Sequence, residues 1–201
     1  MNETFFETVK IVDKKIYNLS YHQKRLDGVF ESFSSKNIID LSTIIKPTQD
    51  GLLRCKVIYS LDGDYSVEYF PYKKRNIQKL FFVDDESIEY KFKSTAREKL
   101  DALYAKRGEC DDVLICKNNL LTDTTIANIA LYDGAKWWTP KHPLLQGTTR
   151  ARLLEQKKIF EKNIEVDRVF EYKKIAMMNA MVDFDIIPQE NIRNIIVRKC
   201  D

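Results

Sequence analysis

Several features that would place a protein in a class at once are missing from this 201-residue sequence. No apolar run is long enough to cross a membrane and no signal-peptide core is present, so we expect a cytoplasmic protein. The four cysteines are widely spaced, without a Cys-x-x-Cys pair, which argues against a metal cage and for reduced thiols. The net charge is only +3, with basic and acidic residues interleaved, which argues against nucleic-acid binding.

Composition and length are those of a globular protein with a substantial core. The chain is 44% hydrophobic and 31% charged, and 201 residues suffice for one large domain or two small ones. Between residues 70 and 90 the sequence turns polar, apart from an apolar stretch at 80–83. We therefore expect an α+β protein with a small domain at residues 1–85 and a larger one at residues 86–201.

Alternating apolar residues and turn signals predict two hairpins in the first half. The expected strands are residues 4–12, 16–19, 52–60 and 65–71. Ser20 and Gln23 have the spacing of a capping box before an amphipathic helix. In the second half, Ser94 is expected to cap a helix that Gly108 ends. The further expected elements are strands at 112–116, 120–125 and 128–138, the last bent at Asp133-Gly134, a helix at 148–161, and a mixed tail at 165–199.

Two short segments of the second half indicate a particular chemistry. Asp123 leads into a strand that contains Asn128, and Gly147, Thr148 and Thr149 open a helix. Unpaired N–H groups and the positive end of the dipole at a helix start suit a phosphate. A carboxylate near such a phosphate cradle meets two needs of pyridoxal 5'-phosphate, because the ring nitrogen of this cofactor must stay protonated and its phosphate must be anchored.

The cofactor also needs a lysine, and Lys91 and Lys93 precede Arg97 just before a predicted helix. Here the chain resembles the class IV aminotransferase family, the fold-type IV pyridoxal-phosphate enzymes. The family pattern is Lys-x-x-x-Arg, then an acidic-x-x-x-x-Asn strand, then Gly-[Ile/Thr]-Thr-Arg at a helix start. On that alignment the lysine that forms the Schiff base is Lys93, and Lys91 is the alternative.

Further motifs extend the resemblance from Phe6 to about Pro188. These motifs are Phe6-Glu7-Thr8-Val9, His22-Gln23-Lys24-Arg25-Leu26 and Asn179-Ala180-Met181. The resemblance implies that Arg25 and the turn at residues 147–149 bind the cofactor phosphate. It also implies that Asp123 pairs with the ring nitrogen and that Asn128 supports the site. The implied fold has a small N-terminal α/β sandwich domain and a C-terminal, strand-rich pseudo-barrel domain.

The Asn179-Ala180 pair brings the sequence nearest to the aminodeoxychorismate lyases, since the aminotransferases usually have a hydroxyl residue at the second position. This implies a lyase that eliminates pyruvate to give 4-aminobenzoate for folate synthesis. One alternative is an aminotransferase for branched-chain or D-amino acids. A second is a non-catalytic relative, because Asp123 replaces the usual glutamate and relatives carry a further N-terminal segment. The resemblance also implies a small amino substrate and a homodimer, without a metal.

Overall fold

The computed structural model describes residues 3–198 and divides them into two compact units. The first unit contains the chain up to Lys74 together with Phe92–Ala96, and the second contains Arg75–Lys91 and the chain from Arg97 onward. The α+β class with two domains is therefore confirmed. The sequence places one boundary near residue 85, whereas the chain passes between the units at three points, because a short segment returns to the first unit.

The first unit is a four-stranded antiparallel sheet with one long helix. Its elements are β1 (Thr4–Val12), β2 (Lys15–Ile16), α1 (Leu19–Ser32), α2 (Leu41–Ile44), β3 (Leu52–Ser60) and β4 (Tyr65–Pro71). The strand order is β2-β1-β3-β4. The expected hairpin of β3 and β4 is present, and β1 pairs with β3 along its whole length.

Alternation along β1 gives this sheet two different faces. Odd-numbered residues of β1 are buried and pack with apolar residues of α1, such as Leu26 and Phe30. We call the other side the open face. It carries Phe6 and Lys10 of β1 and Lys56 of β3, which are half-exposed, and Arg54 of β3, which is exposed. Because strand side chains point alternately to the two sides, neighbours such as Phe6 and Glu7 serve different faces.

The start of α1 differs from the expected capping box. The helix begins at Leu19, and its N-cap residue Asn18 has a left-handed backbone, with φ of 54°, and no side-chain cap bond. The side chain of Gln23 is used elsewhere: it donates to the carbonyl of Ile39 at 2.8 Å and accepts the N–H of Leu41 at 2.9 Å. These bonds to residues beyond the helix outweigh the local cap that the spacing predicts.

Residues 92–96, which we call the edge segment, pair with β1. The N–H of Phe6 donates to the carbonyl of Lys93 at 2.8 Å, and the N–H of Thr95 donates to the carbonyl of Thr4 at 2.9 Å. The edge segment therefore continues the first sheet beyond the N-terminal part of β1.

An aromatic ring fixes the edge segment to the first unit. The ring centroid of Phe92 lies 6.1 Å from that of Phe5 and 5.2 Å from that of Phe33. The sequence predicts a helix from Ser94, but the helix begins only at Glu98, in the second unit. Pairing with β1 takes up backbone groups of the preceding residues, which the local capping signal does not indicate.

The second unit is built around one large sheet. Its strands are β5 (Leu80–Asp84), β6 (Asp112–Lys117), β7 (Leu120–Thr124), β8 (Asn128–Tyr132), β9 (Trp137–Pro140), β10 (Phe160–Lys162), β11 (Lys174–Asn179), β12 (Asp183–Ile186) and β13 (Ile196–Val197). Its helices are α3 (Glu98–Ala105), α4 (Thr148–Glu155), α5 (Ile192–Ile195) and a 3₁₀ helix (Val166–Glu171). The strand order is β10-β9-β8-β7-β6-β5-β13, and β11 pairs with both β8 and β12.

Two boundaries in the second unit differ from expectation. The strand expected at 128–138 is divided into β8 and β9 at the predicted bend, because Asp133 accepts the N–H groups of Ala135 and Lys136 and makes a turn. Helix α4 ends at Glu155, shortly before the left-handed Lys157, with φ of 53°. Across residues 3–198, no helix combines the length and the apolar character needed to span a bilayer.

Candidate active site

A tight turn between β7 and β8 brings Asp123 and Asn128 together. The two residues are paired across the antiparallel strands, and the amide of Asn128 donates to Oδ1 of Asp123 at 2.7 Å. Between them, the hydroxyl of Thr124 accepts the N–H groups of Ile126 at 3.3 Å and Ala127 at 3.1 Å. The acidic-x-x-x-x-Asn spacing is therefore the length needed for a cross-strand contact around this turn.

Two side chains from other elements hold the same turn in place. Arg97 donates to the carbonyl of Thr125 at 3.0 Å, and the hydroxyl of Thr125 donates to Oδ1 of Asp112 at 2.7 Å. Asp112 is fully buried, and burial raises the pKa of its carboxyl group. The arginine of the Lys-x-x-x-Arg motif thus supports the Asp123–Asn128 turn from a distance of many residues along the chain.

The carboxyl group of Asp123 lies in an apolar environment with few partners. Its side chain is 4% exposed, and besides the amide of Asn128 it accepts the N–H of Leu145 at 3.0 Å. Burial raises the pKa of Asp123 to about 6, although these hydrogen bonds and the charge of Arg150 favour the ionised form. A carboxylate that is costly to ionise when alone gains most from a cation placed against it.

Gly147 is required by its position against Asn128. Its backbone, with φ of −71° and ψ of 142°, is one that any residue adopts. A Cβ atom there, however, would overlap Oδ1 of Asn128 and lie 3.1 Å from its Cγ. The amide of Asn128 also donates to the carbonyl of Leu145 at 2.8 Å, so a side chain at residue 147 would disturb the partners of Asp123.

The start of α4 lies directly after this glycine. Gly147 is the N-cap residue and offers no side chain to cap the helix, and no acidic residue occurs in the first turn. The side chains of Thr148 and Thr149 follow and are largely buried. A helix start with backbone N–H groups, two hydroxyl groups and no competing carboxylate suits a phosphate group. The turn therefore fits the anionic end of the expected cofactor.

Arg150, the last residue of the Gly-Thr-Thr-Arg motif, has a supporting role. Its buried guanidinium donates to the carbonyl of Pro140 at 2.8 Å, to Gln146 at 3.0 Å and to Glu161 at 2.6 Å. These bonds tie the first turn of α4 to β9, to β10 and to the segment that precedes the helix. Arg150 therefore fixes the position of the candidate phosphate turn.

In the first unit, Arg25 forms a buried ionic cluster with Glu7 and His22. Nε and Nη2 of Arg25 donate to the two carboxylate oxygens of Glu7 at 2.8 and 2.6 Å, and Nδ1 of His22 lies 2.6 Å from Oε2. Burial alone would raise the pKa of Glu7, but the charge of Arg25 and the hydrogen bonds from His22 and Arg25 lower it to about 2. Glu7 thereby fixes the guanidinium plane of Arg25.

The candidate catalytic lysine lies on the edge segment of the first unit. Lys93 is half-buried, and its Nζ lies 4.4 Å from the ring centroid of Phe6 on the open face. The alternative, Lys91, is exposed. A cation that faces an aromatic ring at this distance is attracted by the ring.

The structure thus brings together part of the expected site within each unit. Asp123, Asn128 and Gly147 form one cluster in the second unit, and Thr148 and Thr149 follow this cluster directly. Arg25 and Lys93 belong to the first unit, and each contacts β1.

Three residues of this arrangement have roles that the sequence alone does not indicate: Glu7, Asp112 and Arg150. Glu7 carried a usable signal, since an acidic residue at a core-facing position of an alternating strand requires a buried partner. Asp112 and Arg150 have partners on other elements, since Thr125 follows β7 and the partners Pro140 and Glu161 of Arg150 lie in β9 and β10.

The fold of the two units is that of the fold-type IV pyridoxal-phosphate enzymes. The chain belongs to the class IV aminotransferase family, whose model, Amino-transferase class IV, matches residues 4–188. Members of this family use pyridoxal 5'-phosphate.

Individual relatives agree with this membership. The chain is 34% identical over 182 residues to an uncharacterised protein of Haemophilus influenzae, a match that covers 88% of this chain and 96% of the relative. A crystal structure from Haemophilus somnus, of a protein proposed to be a 4-amino-4-deoxychorismate lyase, is 34% identical, with a TM-score of 0.84 over 90% of this chain and 97% of that one.

A more distant structure shows the same fold. It is a hypothetical aminotransferase from Mycobacterium tuberculosis, solved in its α-ketoglutarate- and PMP-bound form. It is 15% identical, with a TM-score of 0.73 over 98% of this chain and 84% of that one.

Proposed function

We propose that the protein is a pyridoxal 5'-phosphate-dependent lyase of the aminodeoxychorismate lyase type, which releases pyruvate and leaves 4-aminobenzoate. The observation that carries the proposal is the environment of Asp123, which is buried, has a pKa raised to about 6, and is held by Asn128 and Leu145 beside Gly147. The similarity to the Haemophilus somnus protein favours the lyase over an aminotransferase.

The residues of the second unit suit the two ends of the cofactor. When bound, pyridoxal 5'-phosphate supplies an electron sink for the carbon that carries the substrate amine. Asp123, already oriented by two hydrogen bonds, would hold the proton on the ring nitrogen, because a cation against a buried carboxylate stabilises its charge. The N–H groups and hydroxyls at residues 147–149 would bind the phosphate, and Arg25 would add a charged hydrogen bond.

Lys93 would carry the proton transfers of the reaction. Its amine would bind the cofactor, and after displacement by the substrate amine it would take the proton from the carbon that bears the amino group. The C–O bond between the ring and the three-carbon enol group would then break, and return of the proton to the enol carbon would release pyruvate and leave an aromatic ring. Phe6, whose ring lies against Nζ of Lys93, would keep water away from the amine during this transfer.

Chemical labelling tests the role of Lys93. Borohydride reduction of the purified protein, followed by peptide mapping, is expected to place a pyridoxyl group on Lys93. The Lys91→Ala variant should label equally well and the Lys93→Ala variant should not. A label on Lys91, or no label in the wild-type protein incubated with cofactor, would overturn the assignment.

Substrate consumption distinguishes the reactions. We expect incubation with aminodeoxychorismate to yield pyruvate and 4-aminobenzoate in equal amounts. Transfer of nitrogen between amino acid and keto acid pairs, without this release, would instead identify an aminotransferase. A protein that binds the cofactor and performs neither reaction would be a non-catalytic relative.

We also propose that the protein is a cytoplasmic homodimer. Apolar side chains remain at the surface of the first unit, since Phe33 is 40% exposed and Ile38 is 87% exposed. Two-fold dimers are the commonest closed assembly of enzymes, and such side chains suit a contact between copies. Light scattering at micromolar concentration should give about twice the chain mass of 23.7 kDa. A monomer that retains the cofactor would refute the dimer.

A further inference from the structure

The open face of the first sheet carries an unusual concentration of positive charge. Lys10 and Arg54 are directly opposite in the pairing of β1 with β3, and Lys56 lies two residues further along β3 on the same face. Like charges opposite each other in a sheet are destabilising. Within residues 3–198 none of these three side chains forms a salt bridge, although Glu68 of β4 is opposite Lys56 in register.

Aromatic rings lie between these charges. The guanidinium carbon of Arg54 lies 5.0 Å from the ring centroid of Phe70, and Nζ of Lys56 lies 5.4 Å from that of Phe6. Nζ of Lys93 lies 4.4 Å from the same ring of Phe6. The candidate catalytic amine and Lys56 therefore meet at one aromatic ring. A flat ligand that is anionic at its edges matches such a surface.

The products of the proposed reaction set the charge of its substrate. Pyruvate and 4-aminobenzoate each carry one carboxylate, so the molecule that yields both carries two. A branched-chain amino acid carries only one. Two residues along a strand advance by about 7 Å, so Lys56 and Arg54 offer cations at two successive positions that begin near Lys93.

We propose that the open face binds the two carboxylates of the substrate, with Lys56 and Arg54 as the cations that select a flat, dianionic amine. This inference rests on the proposed function. Lys56 takes the carboxylate nearer to the reacting amine, and Arg54 takes the more distant one. The unfavourable pairing of Lys10 with Arg54 is then relieved when the ligand is bound, because each anion is attracted by more than one cation.

Binding of 4-aminobenzoate, measured by calorimetry, tests this inference. The variants are Lys56→Met and Arg54→Met, which keep an apolar stem, and the matched control is Lys24→Met on the exposed side of α1. Because 4-aminobenzoate keeps only the carboxylate more distant from the amine, Arg54→Met should weaken its binding roughly tenfold or more, and more than Lys56→Met does, whereas the control should weaken it less than twofold. Arg54→Lys should restore most of the loss at residue 54.

A second ligand separates charge recognition from general damage. 4-Methylaniline lacks the carboxylate, so its affinity should be the same in all variants. Equal weakening of both ligands in Arg54→Met, equal effects of Arg54→Met and Lys24→Met on 4-aminobenzoate, or no binding of 4-aminobenzoate to the wild-type protein would overturn the inference. Cofactor retention, measured on the same samples, is the separate criterion for the proposed function, and it should be unchanged in Lys56→Met.

Discussion

Replacing Gly147 with alanine should destabilise the second unit, although the backbone there accepts alanine. The new methyl group would overlap Oδ1 of Asn128, so Asn128 must move. Its amide then loses the bonds to Asp123 at 2.7 Å and to the carbonyl of Leu145 at 2.8 Å. A charge-assisted bond contributes about 1.5–3 kcal/mol and a neutral one about 0.5–1.5 kcal/mol. We expect the free energy of unfolding to fall by about 2–4 kcal/mol.

Urea denaturation followed by tryptophan fluorescence measures this change. Both tryptophans, Trp137 and Trp138, lie in β9, so the signal reports on the second unit that contains Gly147. The control is Gly28→Ala in α1, where a Cβ atom meets nothing within 4 Å and alanine is favoured in a helix by about 1 kcal/mol.

A double variant identifies the cause. If the collision with Asn128 is responsible, Gly147→Ala should cost little in a protein that already carries Asn128→Ala. An undiminished cost in that background, or a single Gly147→Ala variant as stable as the wild type, would refute the reasoning.

Two further predictions follow from the buried carboxyl groups. The pKa of Glu7 is lowered from 4.5 to about 2 in the folded protein, so ionised Glu7 contributes on the order of 3 kcal/mol to the free energy of unfolding above pH 4.5. This contribution is lost as the pH falls toward 2. Glu7→Gln should remove this pH dependence in acid titrations of stability. An unchanged acid profile would show that the ion pair with Arg25 does not form. Because the folded pKa of Asp123 is raised from 3.8 to about 6, the cofactor-free protein should gain stability as the pH falls from 7 toward 4, by on the order of 3 kcal/mol. A flat profile in wild type and Asp123→Asn alike would contradict the burial of this group.

Local patterns predicted the strands of the first unit and missed several helix ends. The alternation along β1 and the turn residues after β3 depend only on neighbours in sequence, and the hairpin of β3 and β4 formed as expected. The strand expected at 16–19 is only Lys15–Ile16, because α1 begins at Leu19. The capping box at Ser20 failed because Gln23 bonds to Ile39 and Leu41 instead. The helix expected from Ser94 starts later because residues 92–96 pair with β1, a partner almost ninety positions away.

In the candidate site, too, some contacts join residues that are near in sequence, and others join residues that are far apart. The contact of Asp123 with Asn128 follows from a five-residue spacing around a turn, so a sequence motif can express it. The contact of Asn128 with Gly147 explains why a glycine is needed at residue 147, but this contact requires β8 and the start of α4 to meet. Likewise, no local pattern links Arg97 to the carbonyl of Thr125.

The edge segment has a consequence for any attempt to divide the protein. A fragment that ends at residue 85 would lack Phe92 and the hydrogen bonds that Lys93 and Thr95 make with β1. It would therefore expose the ring of Phe5 and leave a strand edge open to pairing with other chains, a recognised route to aggregation. A soluble version of the first unit would need residues 92–96 attached through a new linker, so that the unit becomes contiguous in sequence.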